Sequence, residues 1–201
     1  MKTINNLKKK GAQRGFSLPE LLVVLLVISI LVVLALPQVI SSRRMFRFSG
    51  LQRLVAASLS EARQQAMSQR LPITFRYNDA NKIVVIHGGD YGALGDTKNH
   101  RVELSGSGLE PNEIIYGRPG GAPTSALADN SNITTLNGNE VVVTFQADGS
   151  VIDAGNNPQN NALFFYNANY SDEMAFAVSV LGSGGRIKIW RYNKNINLYV
   201  E

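Results

Sequence analysis

The chain has 201 residues, with 20 Lys and Arg against 15 Asp and Glu, a formal net charge of +5, and no cysteine. Five cations and no acid lie in the first fifteen residues, so the remainder is close to neutral, and residues 72–201 hold nine cations against thirteen acids. This balance argues against a bulk polyanion binder, and the lack of Cys excludes disulfides, a thiol nucleophile and a Cys-based zinc site.

A long apolar run follows the basic amino-terminal segment. In residues 21–40 only Ser29 and Gln38 are polar, and a helix of this length rises roughly 30 Å, the thickness of a bilayer's hydrocarbon core. A secretory signal peptide would carry its cleavage site after the apolar run, whereas the candidate processing point between Gly15 and Phe16 precedes it. Cleavage there would remove a basic leader and keep the apolar segment. We therefore predict a membrane-spanning helix over about residues 21–40.

Basic residues flank this span unequally. Five cations precede it, and three follow it, namely Arg43, Arg44 and Arg47. The positive-inside rule places the amino terminus in the cytoplasm and the chain after Ser41 on the other side. The three arginines after the span weaken this bias, although the leader carries more charge.

Glu20 is the single charged residue at the amino-terminal end of the predicted span. A carboxylate in hydrocarbon costs about 2.5–3.5 kcal/mol near a helix centre, so such residues usually have a charged partner. No Lys or Arg lies between Phe16 and Ile40. Cleavage after Gly15 would create a partner, because the free α-amino group of Phe16 is cationic. It can meet Glu20 of the same or of a neighbouring subunit.

Beyond Pro37 the helical pattern changes from apolar all round to one-faced. Apolar residues recur at spacings of three and four, and the stripe consists of Leu51, Leu54, Val55, Leu59, Ala62 and Ala66. We predict one long helix over about residues 19–69, bent at Pro37, whose amphipathic half packs on a globular domain.

After Leu71 the period changes to two, which indicates short strands separated by turns. Strands are predicted at 73–77, 82–87, 101–104, 113–116, 140–146, 150–153, 162–166, 174–181, 186–192 and 196–200. The first two form a hairpin, and tight turns are expected at 147–150 and 182–185. Residues 88–99 and 117–138 are predicted to be loops.

The predicted fold class is α+β, with a long amino-terminal helix packed on a carboxy-terminal antiparallel β-sandwich or strongly bent sheet. The predicted division is a leader at 1–15, the helix at 16–71 and a β-rich domain at 72–201. His87 and His100 are the only histidines, and neither belongs to a metal-binding or paired-carboxylate pattern. We predict a non-enzymatic protein with no cofactor and no metal.

The strand at 186–192 concentrates cations and aromatic residues. Strand alternation puts Arg186, Lys188, Trp190 and Tyr192 on one face and Ile187, Ile189 and Arg191 on the other. Such a strand could hold a nucleic-acid backbone and stack on bases, so Arg186, Lys188, Trp190 and Arg191 are candidate DNA contacts. The favoured interpretation is a solvated strand face whose Trp190 packs under a loop.

At Gly15-Phe16-Ser17-Leu18-Pro19-Glu20-Leu21-Leu22 the chain resembles type IV pilins and type II secretion pseudopilins. The resemblance implies that a prepilin peptidase cleaves between Gly15 and Phe16 and methylates the new Phe16 amine. It also implies that Glu20 pairs with that amine in an adjacent subunit as subunits pack through their helices. A single-pass anchor with an accidental Gly-Phe-Ser is the alternative.

Residues 140–150 and the final Gly-Arg-Ile-Lys-Ile strand resemble the group of minor pseudopilin H (GspH) and minor pilin FimT. This resemblance implies a minor pseudopilin of the type II secretion system, anchored in inner-membrane lipid with a periplasmic β domain and other pseudopilins as partners. The alternative is a minor pilin of a type IV pilus. Some FimT-like minor pilins bind DNA through a Gly-Arg-x-Arg motif, where this chain has Lys188 in place of the second Arg.

Overall fold

The computed structural model describes residues 16–89, 99–170 and 173–201. The chain divides into two compact units at the junction of Ser42 and Arg43, and each unit is described by itself. The first unit is helical throughout from Leu18. The second unit, Arg43–Glu201, contains the rest of that helix and all of the β structure.

Helix α1 extends over 52 residues from Leu18 to Gln69. This confirms the predicted single helix, which continues through Pro37; the bend expected there stays a prediction. The helix ends where Arg70 adopts a left-handed backbone with φ 55°. Pro72 then follows, and its ring nitrogen has no hydrogen to continue the helical bonds.

The carboxy-terminal half of α1 buries its predicted apolar stripe. Five of the six stripe residues are fully buried, and Leu54 is half-buried against the same core; the five are Leu51, Val55, Leu59, Ala62 and Ala66. Because this face packs on the sheets, the compact unit begins at Arg43 and not at residue 72, where the strand pattern begins.

Within the described residues, nine strands follow α1: β1 (Ile73–Asn78), β2 (Ile83–Gly88), β3 (His100–Glu103), β4 (Ile114–Tyr116), β5 (Glu140–Phe145), β6 (Asn161–Asn167), β7 (Ala175–Leu181), β8 (Arg186–Asn193) and β9 (Leu198–Val200). One sheet has the order β3-β2-β1-β5 and the other has β4-β6-β7-β8-β9. All neighbouring strands are antiparallel, and β1 and β2 form the predicted hairpin. The α+β class is confirmed.

Both sheets share one core with α1. Phe48 of the helix packs edge-on against Phe176 of β7 with ring centroids 5.1 Å apart, and Phe75 and Phe145 add side chains from the first sheet. A second cluster covers the opposite face of β6, β7 and β8, beneath Leu127 of the 117–138 loop. Strands β6 and β7 are therefore buried on both faces, which explains their nearly continuous apolar sequences.

One predicted strand is wrong. Residues 150–153 form only isolated bridges, from Val151 to Phe145 and from Ile152 to Pro158. The chain turns directly afterwards because the Asp153 carboxylate accepts hydrogen bonds from two backbone N–H groups downstream. The other predicted strands agree with the structure to within two residues. The 117–138 loop contains no named strand, as predicted, and most of the loop predicted at 88–99 lies outside the described residues.

The two predicted tight turns are confirmed, and they touch each other. Gly185 closes the turn between β7 and β8 with φ 58°, and Gly149 follows β5 with φ 82°. A Cβ atom added to Gly185 would lie 1.9 Å from the carbonyl oxygen of Gly149. Only glycine fits this contact, because the backbone is left-handed and the space is already filled.

Candidate functional site

The amino-terminal part of α1 holds its one charged group at the start of the helix. The Leu21 N–H donates to the Ser17 carbonyl at 3.1 Å and closes the first turn, in which Glu20 lies. Unpaired N–H groups at a helix amino terminus favour a carboxylate by about 0.3–1 kcal/mol. This is less than the cost of about 2.5–3.5 kcal/mol for a carboxylate within hydrocarbon. Glu20 therefore needs a further partner if the helix enters a membrane.

The described part of the first unit, residues 16–42, offers Glu20 no side-chain cation. Residues 16–42 contain no Lys or Arg. Phe16 lies before the helix and is 78% exposed. The amine that cleavage would free is therefore about one helical turn from Glu20 along the chain. Gly15 lies outside the described residues.

The segment Leu18–Leu36 is long and apolar enough to cross a membrane. It has 19 residues and a mean hydropathy of 2.9, and none of it is buried. Ser29 donates its hydroxyl hydrogen to the Leu25 carbonyl at 2.7 Å and so satisfies its own donor within the helix. A soluble monomer rarely exposes so continuous an apolar surface. Lipid or other apolar helices can cover this surface.

Strand β8 has the predicted alternation. Ile187 and Ile189 pack toward the core beneath α1, whereas Trp190 and Tyr192 belong to the cluster on the opposite face. Lys188 lies on the Trp190 side, with Nζ 5.2 Å from the Trp190 ring centroid and 2.7 Å from Oε2 of Glu201. The Lys188 side chain is 18% exposed.

Trp190 is held by a buried chain of hydrogen bonds and is 3% exposed. Its Nε1 donates to Oγ of Ser179 at 2.8 Å, and that hydroxyl donates to Oδ2 of Asp129 at 2.5 Å. In this structure Trp190 cannot stack on bases, which corrects that part of the candidate DNA site. The ring packs under the 117–138 loop, as the favoured interpretation expected. Ser179 was missed from the sequence, where its signal was a hydroxyl within an otherwise apolar strand.

A groove separates α1 from β8, and the sequence pattern gave no sign of it. We define the α1–β8 groove by Gln52, Arg53, Ile189 and Arg191. Two cavities of about 220 and 310 Å³ share Gln52 and Arg191 in their walls. Gln52 is 5% exposed, and its Nε2 has no hydrogen-bond partner among the described residues. An orphaned buried donor costs about 1–3 kcal/mol, so this amide calls for an acceptor.

The histidines are placed apart and have different surroundings. His87 is buried in β2, and this burial lowers the pKa of its imidazole. His100 is exposed at the start of β3, where its Nδ1 lies 2.7 Å from Oε1 of Glu61 on α1. Within the described ranges no three His, Cys, Asp or Glu side chains form a group that could hold a metal ion.

Comparison with known proteins gives one family match and two structural ones. Residues 10–36 match the family described as the prokaryotic N-terminal methylation motif. No curated protein sequence matches the chain. Two crystal structures of the type IV minor pilin FimU from Pseudomonas aeruginosa strain PAO1 are similar at 17% identity. The first match covers 75% of this chain and 91% of FimU with a TM-score of 0.43; the second covers 70% and 90% with a TM-score of 0.41.

The methylation motif confirms the type IV pilin-like interpretation of the amino-terminal residues. It includes the residues on both sides of the predicted cleavage point and most of the apolar segment. Such a motif implies processing by a prepilin peptidase and assembly with other pilin-like subunits. The structural matches have TM-scores below 0.5 and add nothing to this conclusion.

Proposed function

We propose that this type IV pilin-like chain is a minor pseudopilin, a structural subunit of the periplasmic pseudopilus of a type II secretion system. The observation that carries the proposal is the methylation motif joined directly to an unburied apolar helix with a single carboxylate at its start. After removal of the leader, residues 1–15, the helix would anchor the subunit in the inner membrane. The amino terminus would face the cytoplasm and the β-rich domain the periplasm.

The proposed assembly step is electrostatic. Prepilin peptidase cleaves between Gly15 and Phe16 and methylates the Phe16 amine, which keeps its positive charge. An isolated carboxylate and an isolated ammonium are both costly in an apolar phase, and pairing them between neighbouring subunits recovers much of that cost. The pair forms only at one stagger of two helices. Glu20 would thereby select the register of assembly, while the apolar surface supplies the contact area.

The resemblance of residues 140–150 and of the final strand to the GspH and FimT group supports a minor subunit. The buried ring of Trp190 and the ion pair between Lys188 and Glu201 favour the secretion pseudopilin over a DNA-binding pilin. The buried ring cannot stack on bases, and the paired ammonium is less available to a phosphate. Among the described residues no three His, Cys, Asp or Glu side chains form a group that could hold a metal ion, and the proposed structural role needs no metal.

The second candidate is a FimT-like minor pilin of a type IV pilus that binds DNA during uptake. Arg186 favours it, since this side chain is exposed directly after Gly185 and forms no ion pair with any described residue. Lys188 contacts phosphate as a point charge and lacks the two-pronged geometry of arginine. Arg191 lies on the opposite face of β8 from these two residues.

Deletion of the gene in its host distinguishes the two machines. We expect the loss of folded exoproteins from the culture medium, with surface pili and DNA uptake unchanged. Wild-type protein and an Arg186→Ala/Lys188→Ala variant should restore secretion, whereas Glu20→Ala should not. Loss of pili or of DNA uptake with secretion intact would replace the secretion proposal by the pilus alternative.

A further inference from the structure

A short cationic segment follows the last apolar residue of the amino-terminal run. Residues 43–47 read Arg-Arg-Met-Phe-Arg and begin three positions after Ile40, in the same helix α1. An α-helix rises about 5 Å over the three residues to Arg43 and about 10 Å over the seven to Arg47. The polar headgroup layer on each side of a bilayer is about 5–8 Å thick. A membrane whose hydrocarbon ends near Ile40 would therefore present its phosphates to this segment.

Two of the three arginines in the segment are available to an anion. Arg43 and Arg47 are exposed, and neither forms an ion pair among the described residues. Their spacing of four residues puts them on one face of the helix, where like charges destabilise it. Arg44 is engaged elsewhere, because it donates a hydrogen bond to the Tyr170 hydroxyl and its Cζ lies 5.1 Å from that ring's centroid. An anion between Arg43 and Arg47 would relieve their repulsion.

Phe46 adds an apolar group to the same face. It lies three residues after Arg43 and directly before Arg47, and it is 76% exposed. Phe48, two residues further on, is 6% exposed and belongs to the core. The exposed ring is an observation independent of the two unpaired charges. A ligand that satisfies both needs an anionic group and an apolar part next to each other, and an anionic phospholipid has this composition.

The charge of the segment has no counterpart along α1. No Asp or Glu occurs between Glu20 and Glu61. The positive-inside rule leaves these arginines unexplained, because cations after the span oppose the orientation that the leader favours. An arginine close to an anionic lipid surface favours binding to it about fivefold. Binding of an anionic headgroup would give these cations a role that topology does not.

We propose that Arg43, Phe46 and Arg47 form a binding site for an anionic phospholipid. Its phosphate would lie between the two guanidinium groups, and its acyl chains would contact the Phe46 ring. The inference rests on the proposed function only in that α1 must span a membrane, and it goes beyond that function by naming a ligand. The apolar run and the site are consecutive in one helix, so the lipid around the run is within reach of the site.

Two other occupants fit less well. A second copy of the chain, paired symmetrically through this face, would set its own Arg43 and Arg47 against the same two residues, and like charges repel. A nucleic acid would have to enter the headgroup layer to reach Arg43, and the phosphates of that layer repel its backbone. A phospholipid is already part of the layer.

Photocrosslinking at position 46 tests the proposal in the full chain, reconstituted in nanodiscs with equal amounts of phosphatidylglycerol and phosphatidylcholine. p-Benzoylphenylalanine in place of Phe46 keeps an aromatic ring and captures the neighbouring acyl chain. Mass spectrometry of the crosslinked peptide then identifies the captured lipid. Because each of the two arginines favours the anionic lipid about fivefold, phosphatidylglycerol adducts should exceed phosphatidylcholine adducts roughly 30-fold.

Matched variants separate recognition of the headgroup from the overall charge of the protein. Arg43→Gln/Arg47→Gln should bring the ratio of the two adducts close to one, and it should insert at least as well, since it removes cations that oppose the topology rule. Arg70→Gln/Arg186→Gln removes the same charge from two exposed arginines of the second unit and should leave the ratio unchanged. Unchanged Trp190 fluorescence would show that the β-rich unit of each variant is folded.

A second photoprobe, in place of Leu26 within the apolar run, distinguishes failure of the site from failure of the anchor. Lipid adducts at position 26 with none at position 46, or with equal amounts of the two lipids there, would overturn the proposal and leave the anchor intact. Crosslinks from position 46 to a second copy of the chain, in place of lipid, would also overturn it. The absence of lipid adducts at both positions would contradict the proposed function as well.

Discussion

Replacing Ser179 by Ala tests the hydrogen-bonded chain that holds Trp190 in place. Ser179 is fully buried in β7, accepts from Nε1 of Trp190 and donates to Asp129 of the 117–138 loop. Alanine removes both bonds in one step. The indole N–H is then left buried without an acceptor, and the carboxylate loses one of its donors.

The expected loss of unfolding free energy follows from the hydrogen bonds that Trp190 and Asp129 keep in the variant. Loss of the acceptor orphans a buried N–H at about 1–3 kcal/mol, and a hydrogen bond to a charged group contributes about 1.5–3 kcal/mol. Asp129 retains the Ser131 N–H on its other oxygen at 3.0 Å and is only half-buried, so it loses the smaller share. We expect the free energy of unfolding to fall by about 2–4 kcal/mol in Ser179→Ala.

The assay uses the fluorescence of Trp190, the only tryptophan in the chain. Urea unfolding of the full chain in detergent should show a lower midpoint for Ser179→Ala with an unchanged slope. Circular dichroism should follow the same transition. Ser183→Ala, an exposed serine in the turn between β7 and β8, is the matched control and should stay within about 0.5 kcal/mol of the wild type.

A double-mutant cycle with Trp190→Phe isolates the bond itself, with unfolding followed by circular dichroism. Phenylalanine has no N–H to orphan, so Ser179→Ala should cost about 1–2 kcal/mol less in that background. Strict additivity of the two changes, or a Ser179→Ala variant as stable as the Ser183→Ala control, would refute the account of Trp190 given above.

Four further changes probe the rest of the chain. Gly15→Ala should leave the leader attached when prepilin peptidase is coexpressed, and intact mass spectrometry would reveal normal processing if the cleavage assignment is wrong. Glu20→Ala should still insert in the membrane, but in competition with the wild type it should be depleted about 100-fold from filaments, because about 3 kcal/mol of pairing free energy is lost. Equal amounts of the variant and the wild type in filaments, measured by quantitative mass spectrometry, would contradict the pairing. Gly185→Ala should lower the free energy of unfolding by more than about 2 kcal/mol, because its Cβ would lie 1.9 Å from the Gly149 carbonyl oxygen. An unchanged urea midpoint would show that the turn relaxes to make room for the methyl group. Burial lowers the pKa of His87 below its ordinary 6.5, so the unfolded chain binds more protons and stability should fall as the pH drops through about 6.5. His87→Gln should flatten that dependence in unfolding titrations, and an unaltered pH profile would exclude His87 as its source.

The helix could be predicted because its signals are local. The first half of α1 is apolar on all sides, and the second half has an apolar stripe at spacings of three and four. The buried residues from Leu51 to Ala66 match that stripe. The same holds for the hairpin of β1 and β2 and for the turns at Gly149 and Gly185. In each case residues a few positions apart decide the structure.

The site on β8 needed information that is not local. The burial of Trp190 depends on the 117–138 loop, whose sequence has no periodicity, and on Ser179 in a strand that pairs with β8. β9 pairs with Arg191, Tyr192 and Asn193 of β8. Strand lengths can be estimated from a sequence, but which backbone groups stay unpaired is set by the register of the whole sheet.

Recognition between particular subunits has to lie outside the amino-terminal segment. An apolar helix with one carboxylate attracts any helix that carries a matching amine, so it supplies affinity and register but little selectivity among similar subunits. The second unit differs, because its α1–β8 groove places a buried amide donor and two arginines at fixed positions. A partner at this groove must match the charge and the spacing together. If the subunit occupies a defined place among its neighbours, the β-rich unit is where the physical basis for that choice is found.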